Sequence, residues 1–162
     1  MKDRTQSKIR LSSAEALARI YRYCAYQERS HREVKNKLYE YGLYSSEVDE
    51  LLSRLITEGF LNEERFAIAF ASGKHRIKHW GKQRISAELK LRNISSRIIT
   101  TALNEISTAE YLDNFNKLAE KIWAQTSEQN LLLKKKKSVD FLLRKGYETS
   151  LIYDKIQELS FE

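Results

Sequence analysis

The sequence predicts an all-α fold: three tandem three-helix repeats, about nine helices, stacked in an elongated and curved array. Three observations predict it. The 162 residues contain no proline and only five glycines, so little interrupts a helix. Apolar residues recur at helical spacing along most of the chain. One pattern also returns twice. Adding 51 to the residue number maps Val34, Leu38, Gly42, Leu43, Val48, Leu52 and Leu55 onto Ile85, Leu89, Asn93, Ile94, Ile99, Leu103 and Ile106. Adding 104 maps Leu38, Gly42, Leu43, Val48, Leu52 and Leu55 onto Leu142, Gly146, Tyr147, Ile152, Ile156 and Leu159. A unit of about 50 residues buries little by itself, and stacked units cover one another's open faces.

The elements follow in order. Residues 1–13 carry Lys2, Arg4, Lys8 and Arg10 against Asp3 and read as a basic, solvated tail. A basic arm touching nucleic acid is the sharper alternative. The first repeat is 14–60. Ser12 and Glu15 have capping-box spacing, which opens a helix at Ser13 or Ala14, with Leu17, Ile20, Tyr21 and Cys24 on its inner face. Ser30 and Glu33 repeat the box. The second helix carries Val34 and Leu38 and stops at Gly42, a residue free to adopt the left-handed conformation. A third starts at Ser45 or Ser46, buries Val48, Leu51, Leu52 and Leu55, and ends near Glu58-Gly59.

The second repeat is 61–107. Its first helix shows Phe66, Ala69, Phe70, Gly73 and Ile77 at helical spacing, and its small residues suit a close helix neighbour. Ile85 and Leu89 mark the buried stripe of the next helix. Arg84 and Lys90 point away from that stripe, and Arg92 lies at its edge. Asn93 stands where the other repeats have glycine, and Asn is the next-best residue for that cap. The third repeat is 108–162. Its first helix runs from about Thr108 to Trp123 with Leu112, Phe115, Leu118, Ala119 and Ile122 inside, and Thr126-Ser127 breaks it.

Charge is concentrated. The chain is +7 overall. Between Lys74 and Arg97 eight Lys/Arg face one acid, Glu88, so that stretch alone is +7 and the remainder sums to zero. Leu131 to Tyr147 adds a second cluster of six basic residues against Asp140. A local positive surface points to a polyanionic or acidic partner. Lys134 to Lys137 taken alone is an ordinary solvated helix face. Lys82 sits at a helix start, where the dipole does not favour a cation. Trp80 reads as core packing. Trp80, Tyr147 and Tyr153 are aromatics close to cations and suit phosphate or an acidic protein groove.

Other function classes find little support. No apolar run approaches the roughly 20 residues of a membrane span. The N-terminus lacks the apolar core of a secretory signal. The single cysteine fits a reducing compartment, so a cytoplasmic protein is expected. His75 and His79 share helix-face spacing, but Arg76 replaces the glutamate of a zinc protease and the flanking cations would repel a metal. The pair reads as solvated or phosphate-facing. His31 reads as a first-turn surface residue, and Glu63 and Glu64 as dipole-favoured acids of a helix start. Cys24 lies on an apolar face and reads as a packed thiol. Neither a catalytic constellation nor a cofactor loop is visible, so no catalytic, cofactor or metal residue is assigned.

The segment Gly59-Phe60-Leu61-Asn62-Glu63-Glu64-Arg65-Phe66-Ala67, then Arg76, Gly81-Lys82-Gln83-Arg84-Ile85, Glu88-Leu89 and Asn93-Ile94, resembles the RecX family of recombinase regulators. Phe141-Leu142-Leu143-Arg144-Lys145-Gly146-Tyr147 looks like that family's C-terminal element. The similarity runs from about Ala14 through nearly the whole chain. Asn62-Glu63-Glu64 stands where an acidic pair is usual, and Asn93 where a small residue is usual.

The resemblance implies tandem three-helix repeats and a non-enzymatic, monomeric protein with a role in recombination, DNA repair and the SOS response. It would bind RecA filaments on single-stranded DNA, reaching the DNA directly or through RecA, and would modulate recombinase activity as an inhibitor of strand exchange and ATP hydrolysis. The expected RecA- or DNA-binding surface is Arg76, Lys78, Lys82, Arg84, Lys90, Arg92 and Arg97, extended by Lys134, Lys135, Lys136, Lys137, Arg144 and Lys145. The alternative is a stand-alone helical DNA-binding module, for which Arg97 with Asn104 makes a thin base-reading set.

Overall fold

A computed structural model describes residues 9–162, and among them nine α-helices and no strand. They are α1 (Ser13–Tyr26), α2 (His31–Glu40), α3 (Ser45–Thr57), α4 (Glu63–Lys78), α5 (Lys82–Leu91), α6 (Ser96–Asn104), α7 (Thr108–Gln125), α8 (Leu131–Lys145) and α9 (Thr149–Leu159). Packing divides the chain into two compact units, which separate after Phe66.

The repeat seen in the sequence is a repeat of helix termini. Gly42, Asn93 and Gly146 have φ of 85°, 60° and 94°. After each, the next amide reaches back five residues: Leu43 to Leu38 O, Ile94 to Leu89 O and Tyr147 to Leu142 O. That bond satisfies a carbonyl the ending helix leaves orphaned. The residues making it, Leu43, Ile94 and Tyr147, are all buried.

In the first unit Ala16, Ile20 and Cys24 of α1 pack with Val34 and Leu38 of α2 and Val48, Leu51 and Leu55 of α3. Full burial of side chains such as Ile20 and Leu38 stabilises by about 1.5–3 kcal/mol each. Burial also raises the Cys24 thiol pKa. Ser12 caps α1, and Ser30 with Glu33 forms the expected capping box on α2. Asn62 accepts from Arg65 N–H and so caps α4. The Arg65 side chain bonds Glu28 and the Gly59 carbonyl. His31, expected simply at the surface, pairs with Glu63.

The solvated tail fails as an expectation at its inner end. Leu11 N–H donates to Tyr41 O at 2.9 Å, and Arg10 pairs with Glu47 at 2.6 Å while lying 4.2 Å over the Tyr44 ring. Lys2, Arg4 and Lys8 lie outside the described residues.

In the second unit α5 has no side-chain cap. Its first amides are satisfied by the end of α8 instead. Gly81 N–H donates to Lys145 O at 2.7 Å and Gln83 N–H to Gly146 O at 2.9 Å. Lys82 N–H donates to the Tyr111 hydroxyl, which donates to Glu148 at 2.8 Å. Two glycines make this approach possible. A Cβ on Gly81 would lie 2.4 Å from the Gly146 carbonyl, and one on Gly146 would lie 2.3 Å from Arg84 Cβ. Behind the junction His75, Tyr111, Tyr147 and Phe115 form a run of rings with centroids 5.1, 5.5 and 5.0 Å apart. Burial pushes the Tyr147 phenol pKa up to about 12, and that hydroxyl has no hydrogen-bond partner among the described residues.

The face of α4 differs from expectation. Phe66 is buried, but with Ala67, Ala71 and His75, while Ala69 and Ile77 are exposed. The buried stripe runs one position away from the one read from hydrophobicity, because a histidine with both nitrogens bonded can serve as a core residue. Leu112 is likewise exposed on α7, and Tyr111 is buried in its place.

Two tests follow from the junction. Tyr111→Phe should cost about 1–3 kcal/mol in urea unfolding, since it strands two bonded groups, whereas Tyr147→Phe should be neutral or stabilising. Gly59→Ala meets only the left-handed backbone, with open space around it, and should cost about 1–2 kcal/mol. Gly146→Ala adds a clash and should cost more than that, by the same measurement.

Candidate functional site

The α5–α8 junction collects part of the expected surface. Lys145 Nζ donates to Lys78 O at 3.1 Å, and Arg84 Nη1 donates to Arg144 O at 3.2 Å. Lys78, Lys82, Arg84, Arg144 and Lys145 therefore gather around Gly81 and Gly146. Lys82 at its helix start is explained here without a ligand. The carbonyl end of α8 faces the start of α5, and the Lys82 ammonium lies 4.8 Å over the Tyr111 ring.

Beside this cluster runs an alternation of cations and aromatic rings. Arg92 lies 4.7 Å over Phe70, and Lys74 lies 5.5 Å over Phe70 and 5.2 Å over Trp80. Arg84 follows at 4.3 Å over Trp80. Arg84 is thus stacked and partly buried rather than pointing away as expected. Trp80 is half-buried, held by these cations and by Phe70 at 6.3 Å. Along α4 the alternation borders a groove lined by Ala69, Phe70, Gly73, Lys74, Ile77 and Lys78. Ile77 is 75% exposed there.

The remaining cations differ in how strongly they are held. Arg76 pairs with Glu110 at 2.7 Å, which lowers that carboxyl's pKa. Arg92 also pairs with Glu88, Lys136 with Asp140 and Lys137 with Glu128. Lys134 lies 4.3 Å over Trp123. Lys135 lines a second groove with Lys136, Val139, Asp140, Tyr153 and Ile156. Lys90 and Arg97 are exposed. At 1.5 Å per residue, Lys134 and Lys145 stand roughly 16 Å apart along α8, so the run Lys134 to Lys137 is not part of the junction cluster.

Two expected ligand-facing groups are structural. His75 is buried, its Nδ1 bonding Trp80 O at 2.9 Å and its Nε2 bonding Asn114 at 3.0 Å. It is therefore neither solvated nor phosphate-facing; it ties the end of α4 to α7. Tyr147 is buried in the ring run and cannot meet a partner. His79 is exposed at φ 59° just after α4. Among the described residues no group of three or more His, Cys, Asp or Glu is placed to hold a metal ion. No described helix is long and apolar enough to cross a membrane.

Phe70 and Lys74 belong to the site although neither is among the residues expected there, and Tyr111 carries no expectation at all. The i, i+4 spacing of Phe70 and Lys74 was a usable signal. For Tyr111, whose partners lie 29 and 37 residues away, no local signal exists.

The arrangement offers guanidinium and ammonium groups held on aromatic faces, which suits anionic partners. Residues 62–103 match the family model for the second three-helix domain of RecX, and residues 109–156 that for the third. The regulatory protein RecX of Bacillus cytotoxicus is 27% identical over 140 residues, and that of Bacillus licheniformis 29%. Each alignment takes in 86% of this chain, which spans about half the length of these curated relatives. The crystal structure of RecX from Lactobacillus salivarius superposes with a TM-score of 0.78 at 24% identity, covering 93% of this chain and 97% of that one. A second, of a regulatory protein RecX, gives 0.80 at 23%, covering 90% and 71%. With two successive RecX domain models matched across more than half its residues, and the fold of the RecX crystal structures, the chain belongs to the RecX family.

Proposed function

We propose that the chain is a non-enzymatic, cytoplasmic regulator that binds RecA filaments on single-stranded DNA as a monomer and inhibits recombinase activity and ATP hydrolysis. The observation that carries this reading is membership of a family whose matched relatives are named regulatory proteins, together with the cation-rich second unit. On that unit Lys90 and Arg97 are exposed cations outside the junction cluster, open to acidic RecA surface or to exposed phosphate. The junction cluster supplies a second group, in which Lys82, Arg84 and Lys145 are held by rings and carbonyls and Lys78 and Arg144 are exposed. Lys134 to Lys137 extends the surface, with Lys136 and Lys137 partly neutralised by their own carboxylates.

Charge available for a partner is charge not already paired. Exposed pairs such as Arg76 with Glu110 are individually weak, so a strongly acidic partner could still recruit them. Arg84 is a poor test of the surface, since it also packs against Trp80 and Gly146.

The measurement is ATP hydrolysis and filament length for RecA on single-stranded DNA, titrated with the protein. Inhibition should rise with concentration. The variant Lys90→Glu/Arg97→Glu should need at least about tenfold more protein for the same effect, because two charge reversals oppose an acidic surface. A folded double variant that inhibits like the parent would remove Lys90 and Arg97 from the site. Tight sequence-selective duplex binding without RecA would favour the stand-alone DNA-binding module instead.

A further inference from the structure

The first unit carries an alternation of its own, which the charge count does not reveal. Tyr26 is 83% exposed at the end of α1. Arg29 lies 6.0 Å over its ring and 3.7 Å over that of Tyr23. Lys37 of α2 follows, 5.5 Å over Tyr23 and 6.0 Å over Tyr41. The order is Tyr26, Arg29, Tyr23, Lys37, Tyr41, with each cation near two rings; Tyr23 and Tyr41 are half-buried against the core of the unit, and Tyr26 is the ladder's open ring.

Part of this order is structural. Arg29 Nε donates to Tyr23 O at 3.1 Å, and Lys37 pairs with Glu40 at 3.1 Å. These bonds fix the cations but use only one of the five N–H donors of Arg29. Tyr26 has no such explanation: its ring is largely in water, where an aromatic gains little. The surrounding charge is one-sided. Residues 19–41 hold six Lys/Arg and three Glu, whereas Glu47, Asp49, Glu50 and Glu58 on and just after α3 face one basic residue, Arg54. Arg22 is exposed one turn before Tyr26 on the same helix face.

We propose that this ladder is a binding platform for single-stranded nucleic acid. A base has a π-face that stacks on the open Tyr26 ring irrespective of sequence, and the cations beside it meet the phosphates. A duplex hides those faces and gains only the electrostatic part. The platform belongs to the first unit, and its action does not depend on the RecA reading of the second.

The test uses the full chain without RecA, with fluorescently labelled oligothymidylate followed by anisotropy. The protein should bind it, and bind a duplex of equal length more weakly. Tyr26→Ala should lose on the order of 10- to 100-fold in affinity, the range of one lost stack. Tyr26→Trp should retain binding, with its added emission quenched by the oligonucleotide. Arg29→Gln should make the slope of log affinity against log salt shallower by about 0.7, one phosphate contact. The Lys90→Glu/Arg97→Glu variant reports on the other unit. No measurable binding by the parent would overturn the platform. So would unchanged affinity in a folded Tyr26→Ala, or unquenched tryptophan emission at saturating oligonucleotide. Loss of RecA inhibition in Tyr26→Ala with oligothymidylate affinity intact would assign the ladder to an acidic protein and likewise overturn it.

Discussion

The second unit depends on one exchange of hydrogen bonds: the carbonyl end of α8 caps the amide start of α5. Each helix terminus leaves groups that must find partners, and here one terminus supplies them for the other. The carbonyls of Arg144, Lys145 and Gly146 accept from Arg84, Gly81 and Gln83. The partial charges of the two helix ends are opposite, so the arrangement is also favourable electrostatically. Only a chain without side chains at Gly81 and Gly146 can come this close. The Tyr111 hydroxyl adds the third link by bonding Lys82 N–H and Glu148.

This exchange also places charge. It draws residues from the +7 stretch and from the second basic cluster to one place, although more than 60 residues of chain separate Gly81 from Gly146. Like charges so gathered repel, and the structure offsets this with carbonyl oxygens and ring faces rather than with acids. Lys145 lies on Lys78 O, Arg84 on Trp80 and Lys82 on Tyr111. Carbonyls and ring faces do not neutralise them, so these cations remain positive toward a partner while their charged heads are held in place.

Much of the fold was legible because it is local. The Ser12 cap and the Ser30–Glu33 capping box, the left-handed positions at Gly42, Asn93 and Gly146, and the apolar spacing all act within a few residues. The offsets of 51 and 104 simply align those local rules. What was illegible is the pairing of distant residues. A histidine beside lysines reads as polar, yet His75 is buried because Trp80 O and Asn114 satisfy both its nitrogens. Arg84 reads as solvent-facing from its place on the wheel, yet a ring and a glycine are waiting for it. At the site, composition found the cations correctly as a group. It could not tell Arg76, bound to Glu110 across 34 residues, from Lys90.

The two units also carry separate natural reporters. Cys24 is the chain's one thiol and lies in the core of the first unit, while both tryptophans, Trp80 and Trp123, belong to the second. Burial keeps the thiol protonated and shielded, so its labelling rate follows opening of the first unit alone. Indole emission follows the second. The molecule can thus reveal, without any added dye or engineered probe, whether its halves melt together or one after the other.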